Sequence, residues 1–211
     1  MAVRKSLVFA SQFKPNALKL NEGEIAMRLF TIALTECALA SMSMAATAQE
    51  MPELPKPQKE HQWLAPLAGD WEAEIECQMG PGQPPMKSQA TQSSKMLGDR
   101  WLVATSEGDA MGQPMTSVLT IGYDPTKKSY VGTFYCSCAN ELWTYTGKVS
   151  EDGKKLVLDT EGPNMSTPGK TSKYKEAITI VDADNYLFTS EIEGEDGKFV
   201  EFMTANYTRK K

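Results

Sequence analysis

From Trp71 onward the chain alternates. Trp71, Ala73, Ile75, Cys77 and Met79 stand between Glu72, Glu74, Glu76 and Gln78, the period-2 signature of a strand with one buried and one wet face. Nine further segments read as strands: 87–96, 100–108, 115–123, 128–138, 141–149, 155–160, 172–181, 185–193 and 198–208. Turn chemistry separates them. Asp124-Pro125, Asp152-Gly153, Asp184-Asn185 and Asp196-Gly197 supply fixed or positive φ, and 162–170 is the longest loop. No stretch after residue 70 sustains a helical period. Ten short strands in meander order predict an all-β, antiparallel up-and-down barrel, which removes exposed sheet edges by closing on itself. A two-sheet sandwich would pattern similarly. Ahead of the strands, Glu60 to Leu67 predicts a short helical lead-in, and Gln49 to Lys59 an extended proline-rich linker.

The first 48 residues pattern differently. Met27-Arg28 opens a short positive region, Leu29 to Met44 is mostly apolar, and Ala46-Thr47-Ala48 has the small-residue form of a cleavage site. This predicts a signal peptide over 27–48, with Gln49 as the new N-terminus, and export from a bacterial-type cell to the periplasm or beyond. Glu36 and several Ser/Thr interrupt the apolar run, which is too short for a membrane span. Glu36 beside Cys37 also argues against lipidation. Residues 1–26 fit no signal peptide. Glu22-Gly23-Glu24 must be encoded by a purine-rich stretch just upstream of Met27, so the expectation is that translation starts at Met27. The domain plan is then a dispensable extension (1–26), a signal peptide (27–48), a linker (49–59) and a barrel (60–211).

Composition narrows the partners. Of 211 residues, 41% are hydrophobic and 23% charged, which excludes wholesale disorder. Of 22 Lys/Arg and 27 Asp/Glu, five and three precede residue 49, leaving 17 and 24 and a net charge of −7. An acidic surface without a basic stripe argues against nucleic acid or an anionic membrane. No stable membrane insertion is expected, and the sequence does not specify an oligomeric state.

The stretch His61-Gln62-Trp63-Leu64-Ala65-Pro66-Leu67-Ala68-Gly69-Asp70-Trp71 resembles the opening of the DUF1579 family, whose function is unassigned. Further matches are Leu97-Gly98-Asp99-Arg100-Trp101-Leu102-Val103, Ile121-Gly122-Tyr123-Asp124-Pro125 and Tyr130-Val131-Gly132-Thr133-Phe134. Their order and spacing span residues 58–208. The family is similar to calycin-like barrels, the group of lipocalins, fatty-acid-binding proteins and nitrobindins. That likeness implies that Gly69 and Trp71 on the first strand meet Arg209 after the last one, closing the barrel floor by a guanidinium on an indole. Haem ligation of the nitrobindin kind needs a strand histidine, whereas His61 is the only histidine and precedes the strands. No cofactor is therefore expected.

Chemistry-bearing clusters are few. A Ser-His-Asp or Cys-His machine would have to recruit His61, which reads more simply as a capping or packing residue beside Trp63. Glu72, Glu74 and Glu76 form a solvated row rather than an acid pair. Cys136 and Cys138, at i and i+2 on one strand, share one face, and Cys77 is the third cysteine after the leader. Cys77, Cys136 and Cys138 are candidates for a disulfide, with one of the pair bridging to Cys77; buried free thiols are the alternative. A C-x-C without further Cys or His nearby is a weak metal signal, and no metal is expected. The aromatic residues spread over many strands, and Trp101, Tyr130, Phe134 and Trp143 are the candidates to line an interior cavity.

The leading expectation is an exported, non-enzymatic barrel holding a small apolar or amphipathic ligand. The alternative is a cell-envelope interaction module with a filled barrel. A hydrolase-type enzyme comes third.

Overall fold

Alternating residues put one side chain in two toward the interior, and ten such strands pair edge to edge until the last meets the first. The computed structural model describes residues 55–211 apart from 81, 111, 165, 166 and 168. The expected extension 1–26, the signal peptide 27–48 and linker residues 49–54 lie outside the described residues. The strands are β1 (Gly69–Cys77), β2 (Met86–Leu97), β3 (Trp101–Ala110), β4 (Gln113–Asp124) and β5 (Ser129–Cys136). They continue as β6 (Trp143–Val149), β7 (Lys155–Pro163), β8 (Thr171–Ile180), β9 (Asn185–Glu193) and β10 (Phe199–Arg209). Each pairs antiparallel with its neighbours in sequence, and β1 pairs with β10 from Trp71↔Arg209 to Cys77↔Met203, closing the ring. The all-β up-and-down barrel is thus the observed architecture, and no sandwich forms.

Two local departures from the alternation matter below. The strand expected over 128–138 stops at Cys136, because Ser137 N donates to Thr116 O (2.8 Å) and Ala139 N to Cys136 O (3.4 Å), turning the chain. Cys138 therefore sits in a turn rather than two places along a strand face. In β10 the register against β9 shifts between Glu201 and Met203. This bulge lets Phe202 and Met203 both turn inward.

One end of the barrel is plugged. The lead-in forms a helical turn α1 (Lys59–Gln62) and a 3₁₀ turn (Ala65–Leu67), with Leu64 and Leu67 driven into the core. His61 is buried; its Nδ1 accepts from Gln58 N (2.9 Å) and its ring meets Tyr123 edge-on, so it caps and packs. Trp63 Nε1 donates to Gly153 O (2.7 Å), and Tyr130 Oη donates to Glu60 O (2.8 Å), stitching plug to barrel.

Arg209 locks the plug. Its guanidinium carbon lies 4.0 Å from the Trp71 ring, and it donates to the carbonyls of Ala68 (2.8 Å), Pro66 (2.8 Å) and Ala183 (3.0 Å). Trp71 Nε1 donates in turn to Leu67 O (3.1 Å). Gly69 is required beneath this arrangement: its φ is +131°, and a Cβ there would fall 2.2 Å from Arg209 Nη1. The guanidinium satisfies carbonyls left free where the 3₁₀ turn ends, so its removal costs several partners at once. Arg209→Ala is expected to lower stability by about 2–4 kcal/mol, from three charge-assisted hydrogen bonds and a shielded cation–π contact. Denaturant unfolding of the variant against wild type measures it; a loss under about 0.5 kcal/mol, the scale of an ordinary surface substitution, would show that Arg209 is merely solvated.

Candidate functional site

The barrel interior is divided between two kinds of wall. On β2–β4 most inward positions are small: Ala90 on β2, Ala104, Ser106, Gly108 and Ala110 on β3, and Ser117 on β4, with Leu102, Met115 and Leu119 the larger apolar exceptions. On β5–β10 they are mostly aromatic: Phe134, Trp143, Tyr145, Tyr174, Tyr186, Phe188, Phe202 and Tyr207. Small residues cannot reach across to the rings. A cavity of about 410 Å³ is left between them, running from Leu67 of the plug to Cys138 and Ala139 at the opposite rim. Gly108 shows how close the strands on the small side lie, since a Cβ there would meet the Ala90 Cβ at 2.9 Å.

The cavity is apolar with a polar floor, the pattern of small-molecule sites. Gln92 is buried and saturated: Nε2 donates to Tyr186 Oη (2.7 Å) and Ser94 Oγ (2.8 Å), while Oε1 accepts from Ser106 Oγ (3.1 Å). Tyr186 stacks on Tyr207 at 4.3 Å and meets Trp71 edge-on at 4.7 Å. The guanidinium–indole lock therefore bears directly on the floor.

Glu176 is the carboxylate among the residues that line this interior. It lies on the inward face of β8 between Tyr174 and Ile178, and its remaining accessible surface faces the cavity. Burial pushes its carboxyl up to about 7, against the hydrogen bonds from Tyr145 and Ser190 that favour the carboxylate. Burial and the neighbouring Glu176 charge push Tyr207 up to about 12. Burial, with Glu176 beside it, also raises Tyr145. Near neutrality the interior thus holds one exchangeable proton beside hydroxyl donors. Such a set can hydrogen-bond a neutral polar group, or pair with a cation when ionised.

The four residues expected to line a cavity are not brought together. Phe134 and Trp143 do line it, Trp143 lying against Gly162 across the β6–β7 pair. Trp101 lies outside the barrel, 39% exposed, with its ring laid over Gly122 on the neighbouring strand; a Cβ on Gly122 would fall 2.4 Å from the indole. Tyr130 is buried at the plugged end among Trp63 and Tyr123. The signal against Trp101 is weak but present: Glu107 and Asp109 share its strand face with Val103 and Thr105. Another marked Glu176, a carboxylate in phase with Tyr174, Ile178 and Ile180.

Glu72, Glu74 and Glu76 stand exposed on the outer face of β1. Cys77, Cys136 and Cys138 are all free thiols, and the sulfurs that meet are those of Cys136 and Cys138, 3.0 Å apart. Among the described residues no three His, Cys, Asp or Glu side chains converge as metal ligands do, and no helix is long and apolar enough to cross a membrane. His61 lies in the plug and does not line the cavity.

The profile of a family described as "Protein of unknown function (DUF1579)" matches residues 56–209. No curated protein sequence matches the chain significantly. Among solved structures, Rv2717c from M. tuberculosis superposes with a TM-score of 0.50 at 14% identity, covering 74% of this chain and 100% of that one. An S-type phycobiliprotein lyase, CPES from Guillardia theta, gives 0.48 at 14% identity, covering 74% and 99%. At such identities the likeness is one of fold alone.

Ionisation of Glu176 leaves a measurable trace. Its folded pKa, about 7, stands above the ordinary 4.5, so the folded state keeps a proton that the unfolded state releases. Stability is then lost as pH rises from about 4.5 and levels off above about 7. Glu176→Gln removes this dependence: the variant gains about 3 kcal/mol relative to wild type between pH 4 and pH 8. Denaturant unfolding at the two pH values tests it, and an equal difference at both would contradict the raised pKa.

Proposed function

The chain belongs to the DUF1579 family of proteins of unknown function, and we propose that this member binds a small apolar or amphipathic molecule in its barrel. The ligand's apolar body lies between the aromatic wall and the small residues of β2–β4. Its polar end reaches Glu176 and the hydroxyls of Tyr145 and Tyr207. The observation that carries this reading is the 410 Å³ space itself, apolar along its walls and supplied with buried polar groups. An interior of this size weighs against a filled barrel acting only through its loops. The arrangement supports binding more than catalysis, because the walls are chiefly apolar and the carboxylate of Glu176 is already engaged by the hydroxyls of Tyr145 and Ser190. The signal-like segment over 27–48 supports the further reading that the protein works outside the cytoplasm.

A cavity-filling variant tests the reading. Nile red, a neutral amphipathic dye, is expected to bind the wild-type protein with enhanced, saturable fluorescence at a stoichiometry of one. Ala104→Phe places a ring in the cavity from the small wall and is expected to weaken binding at least tenfold, at a folding cost of about 1–3 kcal/mol. Trp101→Ala, on the outer surface, is expected to leave the affinity unchanged. Dye binding that ignores Ala104→Phe, or responds equally to Trp101→Ala, would place it outside the barrel and refute the proposal.

A further inference from the structure

The turn that ends β5 brings two thiols together at the mouth of the cavity. Cys136 Sγ and Cys138 Sγ stand 3.0 Å apart, within about 1 Å of bonding distance. The approach is built by backbone, not by chance rotamers. Ala139 N donates to Cys136 O (3.4 Å), closing a four-residue turn across Cys136–Ala139, and Ser137 is held on both sides by Thr116. Ser137 N donates to Thr116 O (2.8 Å), while Ser137 Oγ accepts from Thr116 N (3.0 Å). With Ser137 pinned to the neighbouring strand, its two flanking cysteines are directed to one side. Both line the cavity mouth; Cys136 is half-buried and Cys138 exposed.

We propose that Cys136 and Cys138 form a reversible dithiol–disulfide couple at the mouth of the barrel, oxidised by small-molecule disulfides of the glutathione class. The exposed Cys138 sulfur, as thiolate, attacks one sulfur of the external disulfide. That S–S bond breaks, one small thiol departs as thiolate and takes up a proton, and a mixed disulfide remains on Cys138. The Cys136 thiolate then attacks the Cys138 sulfur and expels the second small thiol. Two protein S–H bonds are lost and two small-molecule S–H bonds formed, so two electrons pass to the external disulfide. The hydrogen bond to Cys136, aided by partial burial, raises the Cys138 thiol above its ordinary value. The capture step therefore accelerates with rising pH. A bridge between residues so close in sequence closes a small, strained ring, and strained or exposed disulfides are the reducible kind. Cys77, on β1 with its thiol raised by burial, takes no part. The couple stands whether or not the cavity holds a ligand.

Peptide mass analysis decides it. The full chain is equilibrated with excess glutathione disulfide, alkylated under denaturing conditions and cut with trypsin. Residues 129–148 hold Cys136 and Cys138 on one tryptic peptide, and 60–87 hold Cys77 on another. The expected result is an unalkylated 129–148 peptide lighter by two hydrogens, with the 60–87 peptide alkylated. Reduced glutathione should restore the doubly alkylated 129–148 peptide. In Cys136→Ser the same treatment should instead leave a glutathione adduct on Cys138. A doubly alkylated 129–148 peptide after full oxidation, or a bridge joining it to 60–87, would overturn the proposal.

Discussion

Closing strands into a ring fixes how much space they enclose, and here ten strands set an interior that the inward side chains must span or leave empty. Eight strands give a width that side chains just fill; ten need large residues on every wall to do the same. This chain supplies them mostly on one side. Aromatic rings from β5–β10 face mainly alanine, serine and glycine from β2–β4, so a cavity follows from the strand number together with an uneven distribution of side-chain volume. Filling that space would remove voids that cost stability, which makes its retention informative.

The two ends of the ring have opposite designs. At one end Arg209 gathers the carbonyls of Pro66, Ala68 and Ala183 over the Trp71 ring, and the plug's leucines seal the core. From Trp71 the packing passes to Tyr186 and Tyr207, and through Tyr186 to Gln92. The lock that closes the barrel thus also fixes the polar floor of its cavity. At the other end the connections leave the interior reachable, and the Cys136–Ala139 turn stands at the rim. Glu176 lies between these ends, its burial tolerated because Tyr145 and Ser190 donate to it.

Much of this was legible in the sequence, and what was not has identifiable causes. Strand number, meander order and the helical lead-in follow from alternation and turn residues, which are local signals. The outward row Glu72, Glu74, Glu76 follows from the same alternation. The direction of Trp101 was harder, because β3 is mixed on both faces. Its inward side is small rather than bulky, and the large residue lies outside, covering Gly122. Tyr130 faces inward as its pattern suggests, but at a depth the plug occupies, and depth is a matter of register rather than of period. Glu176 is the instructive omission. Carboxylates usually mark the wet face, and only its phase against Tyr174 and Ile178 separates it from that majority. The closeness of Cys136 and Cys138 depended on Ser137 being caught by Thr116, a long-range contact that no local pattern records.

The claim on which the account rests is that the space between the two walls is an occupied binding site in the native protein. A crystal structure of the protein purified from its own host, without added ligand, measures this most directly. The account predicts continuous non-protein density between the aromatic wall and β2–β4, with a polar atom within hydrogen-bond reach of Glu176. Aromatic side chains collapsed into the space, or a cavity holding ordered water alone, would contradict it.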